Sequence, residues 1–170
     1  MDETSVLLCS MPFADPLIPS IQLSTLESYL RERGVTVSSL HLYLYAAKFY
    51  GLEYYSFLIN PPNDPYASQM VYAKYVFPNH WQENLNHFKE YYNNVMISNE
   101  QEKENFPFEI YCEKTELFFH WLITSVPWDR YDLIGFSLNY GQFLPSLAIA
   151  QYLKSISNKK YCFWWIYNHG

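Results

Sequence analysis

Val6-Leu7-Leu8-Cys9 is a short apolar run, and a proline-rich stretch over residues 11–19 ends it. A run of that length with such a flank reads as a buried strand feeding a loop. Ser20 offers a cap for the helix that follows, and Leu23, Leu26 and Leu30 recur on one of its faces. Arg31 and Arg33 fall at the end of that helix, and Gly34 supplies its stop. A second strand follows over residues 35–41. Strand, helix and strand in so short a span make a right-handed βαβ unit, which commits the chain to a parallel sheet.

A second unit lies toward the other end. Asp132-Leu133-Ile134-Gly135-Phe136-Ser137 reads as a third strand, and Pro145 fits the first turn of a helix continued by Leu147, Ala150 and Leu153. Residues 161–166 read as the fourth strand. Between the units, residues 43–130 are rich in aromatic side chains and are broken by Pro61-Pro62, Pro78, Pro107 and Pro127. The pieces read as helices over 43–59, 66–76, 79–96 and 108–125, with a polar, charged loop at 100–104. That is too long for an ordinary connection, so it reads as a helical insertion packed on the sheet.

The fold class expected is therefore α/β: a flavodoxin-like parallel sheet in the order 2-1-3-4, with a large helical insertion between strands 2 and 3, and residues 1–170 forming one domain. In that order the strand sequence reverses between strands 1 and 3, and ligands bind at the carboxyl ends there. The loops over 10–20 and 138–145 border the crevice. Asp15, Ser20, Ser137, Asn139 and Gln142 are the polar groups that can converge at its mouth. A central parallel strand is buried on both faces, so Leu133 and Ile134 are expected to matter alike to stability. Gln142, facing the crevice, is expected to matter little.

Composition narrows the function. Charged residues make up 16% of the 170 and aromatic residues 20%, which is too apolar for disorder. A formal net charge of −6 and the lack of a basic run argue against a nucleic-acid surface. No apolar run reaches the roughly 20 residues that span a bilayer. Asp2 and Glu3 stand where a signal peptide carries positive charge. Cys9, Cys112 and Cys162 are odd in number and far apart, which suits a reducing cytoplasm better than a disulfide framework.

The motifs of common cofactor sites are missing. No Gly-x-Gly-x-x-Gly follows the first strand, no Gly-x-x-x-x-Gly-Lys occurs, and the chain holds only 5 glycines. No Cys-x3-Cys-x2-Cys is present to hold an iron–sulfur cluster, and no Asp-x-His-x-x-Gly offers a histidine below a cobalt ion. His41, His80, His87, His120 and His169 show no metal spacing. Neither a catalytic residue nor a metal ligand is assigned. Cys9 and Cys112 read as small packed hydrophobes, and Tyr50, Tyr54, Tyr55, Tyr91 and Tyr92 as core.

Several stretches carry a resemblance: Leu7-Leu8-Cys9-Ser10-Met11-Pro12-Phe13-Ala14-Asp15-Pro16, Pro19-Ser20-Ile21-Gln22-Leu23, Gly51-Leu52-Glu53-Tyr54, Tyr75-Val76-Phe77, and the third strand with Gln142 and Ser146-Leu147-Ala148-Ile149-Ala150. From Val6 to about Lys160 the chain resembles the N-terminal, cobalamin-binding-like domain of the RiPP (bacteriocin) maturation radical SAM protein 1 family. The resemblance implies a cobalamin-type crevice followed by a radical SAM barrel, here absent, that modifies a ribosomally synthesised precursor peptide. Pro12, Asp15, Ser20, Ser137, Asn139 and Gln142 are the candidate cofactor contacts. The alternative is a non-catalytic interaction module in which the aromatic insertion binds a precursor peptide or a radical SAM partner domain. A flavodoxin-like receiver lacks the paired acidic residues it needs after the first strand.

After the fourth strand the family resembles Val-Phe-Gly-Gly, whereas this chain reads Cys162-Phe163-Trp164-Trp165. Phe-Trp-Trp written TTT TGG TGG becomes Phe-Gly-Gly when read one base over as TTT GGT GG. The expectation is a truncated product whose tail, from about Cys162, is out of frame. Two indoles would then stand where a ligand loop belongs, and an open sheet edge would invite pairing with a second copy.

Overall fold

Four short apolar runs become the strands β1 (Ser5–Ser10), β2 (Thr36–His41), β3 (Leu133–Leu138) and β4 (Lys160–Trp165). They are seen in a computed structural model that describes residues 4–59, 67–91, 108–139, 141–158 and 160–165. The strands are all parallel and ordered β2-β1-β3-β4, so the expected α/β, flavodoxin-like topology is the observed one. The register sets His41, Ser10, Ser137 and Trp164 in one row across the carboxyl ends. At the opposite end, Ser5 donates to Asp132 through its N–H (2.9 Å) and its hydroxyl (2.8 Å), clamping β1 to β3.

The helix α1 (Ile21–Arg31) starts where Ser20 Oγ accepts the Leu23 N–H at 3.4 Å, as its N-cap role requires. Within the insertion the boundaries differ from those read in the sequence. The expected helix over 43–59 is two, α2 (Leu42–Tyr50) and α3 (Leu52–Ile59), because Gly51 takes φ +87° and ends the first. The stretch expected as one helix over 66–76 is a 3-10 turn, Ala67–Tyr72, then α4 (Ala73–Val76). That turn is held from outside: Tyr111 donates to the Ser68 carbonyl, and Gln69 Oε1 accepts the Leu144 N–H at 2.8 Å. A second short 3-10 turn precedes α5 (Trp81–Tyr91), and residues 92–96, the loop at 100–104 and residue 166 lie outside the described residues. Helix α6 (Phe108–Ser125) has the expected bounds, and α7 (Phe143–Ile156) carries Pro145 in its first turn.

The sheet's two faces are covered unequally. Leu7, Cys9, Ile134 and Phe136 point into a large core built with α2, α3, α6, α7 and the 3-10 turn. Tyr50, Tyr55, Tyr72 and Tyr111 are buried in it. Tyr50 donates to Thr115 Oγ1 at 2.5 Å, since that hydroxyl itself donates to the Tyr111 carbonyl. The other face holds Val6, Leu8, Leu23 and Val37 under α1, with Leu26, Leu30, Leu133 and Trp164 half-buried around them. Over β3 this face is closed by Trp164. A Cβ added to Gly135 would stand 2.6 Å from the Trp164 ring and 3.3 Å from Leu8 Cδ2, so the indole lies where residue 135 has no side chain. Among the described residues, no helix is long and apolar enough to cross a membrane.

Candidate functional site

The reversal of strand order between β1 and β3 opens a crevice of about 830 Å³ at their carboxyl ends. Its walls come from the β1–α1 loop, the first turns of α1, Tyr43, the β3–α7 loop and Trp164. Of the six residues singled out in the sequence, Asp15, Ser20, Asn139 and Gln142 line it. Pro12 is buried and is not among the walls. Ser137 is buried just beneath, where its hydroxyl donates to Gln22 Oε1 at 2.5 Å and ties β3 to α1.

Most of the polar groups already have work within the fold. Asp15 Oδ1 accepts the Leu17 N–H at 2.8 Å and shapes the loop. Ser20 caps α1. Tyr43 donates to the Ile18 carbonyl (3.4 Å) and Tyr55 to the Ala14 carbonyl (2.9 Å), so the insertion holds the β1–α1 loop in place. Gln142 was expected to face the crevice with little structural role. Its side chain is instead buried and donates to Ser10 Oγ at 3.0 Å and to the Met11 carbonyl. It joins the two loops that border the crevice. Asn139 differs from the rest: its Oδ1 is buried and has no hydrogen-bond partner among the described residues.

The electrostatics are one-sided. Among the described residues, no Lys, Arg or His lines the crevice, whereas Asp15 brings a carboxylate to it. Half-buried His41 sits edge-on to Tyr43 with ring centroids 5.7 Å apart and is not a wall residue. No group of three His, Cys, Asp or Glu side chains that could hold a metal is found among the described residues. Burial pushes the Cys9 thiol far up, and Cys112 up to about 11, so neither is a ready nucleophile. A second cavity of about 330 Å³ beside Cys112 is flanked by the ion pairs Lys74–Glu116 and Lys89–Glu109, with Glu113 also on its wall.

Gln22, Tyr29, Tyr43 and Trp164 line the crevice and were not among the candidates drawn from the sequence. Gln22 and Tyr29 are reachable from the sequence, because α1 leaves directly from the first bordering loop. Trp164 is not, since its place depends on Gly135 in another strand. The chain matches no family model, no curated protein and no solved structure, so its reading rests on the geometry of this crevice.

Proposed function

We propose that the crevice is a cofactor site, and that the chain serves as the N-terminal cofactor- and peptide-binding part of a radical SAM enzyme that modifies ribosomally synthesised peptides. The observation that carries the first half is a roomy crevice at the strand-order reversal, walled by the two bordering loops and by Tyr29, Tyr43 and Trp164. The resemblance in the Met-Pro-Phe-Ala and Gly-Phe-Ser segments supplies the second half. Cobalamin is the cofactor proposed; when bound it relays a methyl group from S-adenosylmethionine to a peptide carbon.

The residues present suit part of that group. Apolar and aromatic walls suit the body of a corrin ring, and among the described residues no wall residue offers an imidazole nitrogen to the metal. In this reading Gln142 and the Ser137–Gln22 pair fix the loops, while Tyr29, Tyr43 and Trp164 exclude water. Unpaired Cys9, Cys112 and Cys162 suit a reducing, cytoplasmic setting. Titrating the chain into hydroxocobalamin is expected to shift its visible spectrum. An unchanged spectrum at saturating protein overturns the cofactor assignment.

A second reading, an interaction module, draws on a different observation. Leu17, Ile18 and Ile21 at the crevice rim are 87%, 61% and 74% exposed, an apolar edge suited to a partner. The insertion's tyrosines lend this reading less support than their number suggests, because Tyr50, Tyr55, Tyr72 and Tyr111 are buried.

A further inference from the structure

We infer that Gln22, held in place by Ser137, donates to an acceptor oxygen on the crevice's occupant, and that the site takes carbonyl compounds with a flat apolar body. The inference rests on the crevice being a ligand site and adds the chemical class of what enters it. Ser137 is buried on β3, and its hydroxyl donates to Gln22 Oε1 at 2.5 Å. That bond spends the amide oxygen and turns the amide nitrogen the other way. Gln22 lines the crevice, and its Nε2 is neither buried nor partnered among the described residues, so its two N–H groups are open to a ligand there. With one end of the amide tied to the sheet, the donor is oriented before a ligand arrives, and little side-chain freedom is lost on binding.

Other polar groups on the wall sort in the same direction. Asn139 Oδ1 is buried, whereas the amide nitrogen beside it is neither buried nor partnered among the described residues, so this second amide also offers N–H groups. Ser20 Oγ accepts the Leu23 N–H, which leaves its hydroxyl proton uncommitted. Among the acceptors, Asp15 Oδ1 is spent on the Leu17 N–H, and the Tyr43 hydroxyl is turned to the Ile18 carbonyl. Uncommitted donors thus come from the start of α1 and from the β3–α7 loop, and a ligand carbonyl oxygen, with two lone pairs, can accept from more than one. Leu26, Tyr29, Tyr43 and Trp164 supply the apolar part of the wall, which suits a flat ring.

Acetophenone and α-methylstyrene form the test pair, since they share a shape and the second has a methylene group in place of the carbonyl oxygen. In NMR titrations of the full chain, both are expected to shift the backbone signals of crevice residues. Gln22→Glu keeps the shape and the acceptor for Ser137 but replaces the N–H groups with an oxygen. It is expected to weaken acetophenone about 3–10-fold, as for one well-placed hydrogen bond, and to leave α-methylstyrene unchanged. Ser137→Ala leaves the donor but not its support, and is expected to weaken acetophenone by less, again with α-methylstyrene unchanged. The second ligand therefore reports that each variant still folds and still has its crevice. Equal losses of both ligands in Gln22→Glu, or no loss of acetophenone, overturn the role given to Gln22 while the crevice stands as a ligand site. Absence of shifts with either ligand in the unaltered protein overturns the ligand site itself. An unchanged hydroxocobalamin spectrum alongside the expected acetophenone losses removes only the cofactor and supports the inference.

Discussion

Ile134 and Leu133 are neighbours on β3 and meet different surroundings. Ile134 is fully buried against the insertion, among Leu7, Phe136 and the helices that follow, while Leu133 turns to the α1 side and is half-buried. The same division runs along the whole sheet. One face is closed by a helical insertion with a tyrosine-filled core, the other by a single helix and one indole. The crevice draws its walls chiefly from the thinly covered side, through α1 and Trp164, and its loop supports from the thick side, through Tyr43 and Tyr55. Rigidity comes from one face and access from the other.

The strongest test of this division is alkaline pH. Burial raises Tyr50, Tyr55 and Tyr72 above the usual tyrosine range, so the folded state keeps these phenols neutral while the unfolded chain ionises them. Above pH ~10 the unfolded state therefore binds fewer protons, and stability falls as pH rises, by about 1.4 kcal/mol per pH unit for each such tyrosine. Exposed tyrosines should ionise with the fold intact. A later, cooperative rise in tyrosinate absorbance should then coincide with loss of the far-ultraviolet circular dichroism. Smooth ionisation of every tyrosine with the fold retained would break the picture of a closed aromatic face.

Next in size is the pair that opened the comparison. Ile134→Ala is expected to lower stability by about 2–5 kcal/mol, as for a large core truncation. Leu133→Ala, on the thin face, is expected to lose about 1 kcal/mol. The general rule for a central parallel strand places equal weight on both residues, and the half-buried state of Leu133 corrects it. Equal losses in denaturant titration would show that the α1 side is as well packed as the other.

Smallest is the loop tie. Gln142→Ala removes the bonds to Ser10 Oγ and the Met11 carbonyl, and is expected to cost about 1–3 kcal/mol because buried groups lose their partner. An unchanged melting temperature would return Gln142 to the open crevice and leave the loops held by the tyrosines alone.

Much of the architecture was legible because it depends on local signals. Apolar runs such as Val6-Leu7-Leu8-Cys9 give strands, Ser20 gives the cap, and βαβ handedness fixes the order of the sheet. Helix α6 was readable end to end, since Pro107 precedes it and Pro127 follows it. Gly51 was visible in the sequence, but its left-handed conformation was not, and the two helices around it were read as one. The division of labour within the crevice was hidden for a different reason. Asn139 and Gln142 are both small polar amides in one loop, and only long-range contacts decide that Gln142 is spent on Ser10 and Met11 while the Asn139 Oδ1 is buried without a partner among the described residues.

Gly135 and Trp164 share a single volume, and this constrains the order in which the two positions can change. A methyl group gained at 135 would meet the Trp164 ring at 2.6 Å, Cys162 Sγ at 3.2 Å and Leu8 Cδ2 at 3.3 Å, so that step is disfavoured while the ring keeps its place. A smaller residue at 164 meets no such barrier and leaves only a gap beside Leu8. The path between a Gly–Trp pair and a pair with a larger residue at 135 is thus passable in one direction first, through 164. Across divergent copies of this chain, bulk at 135 and bulk at 164 should be mutually exclusive, a historical signature of the one place where an indole does the work of a helix.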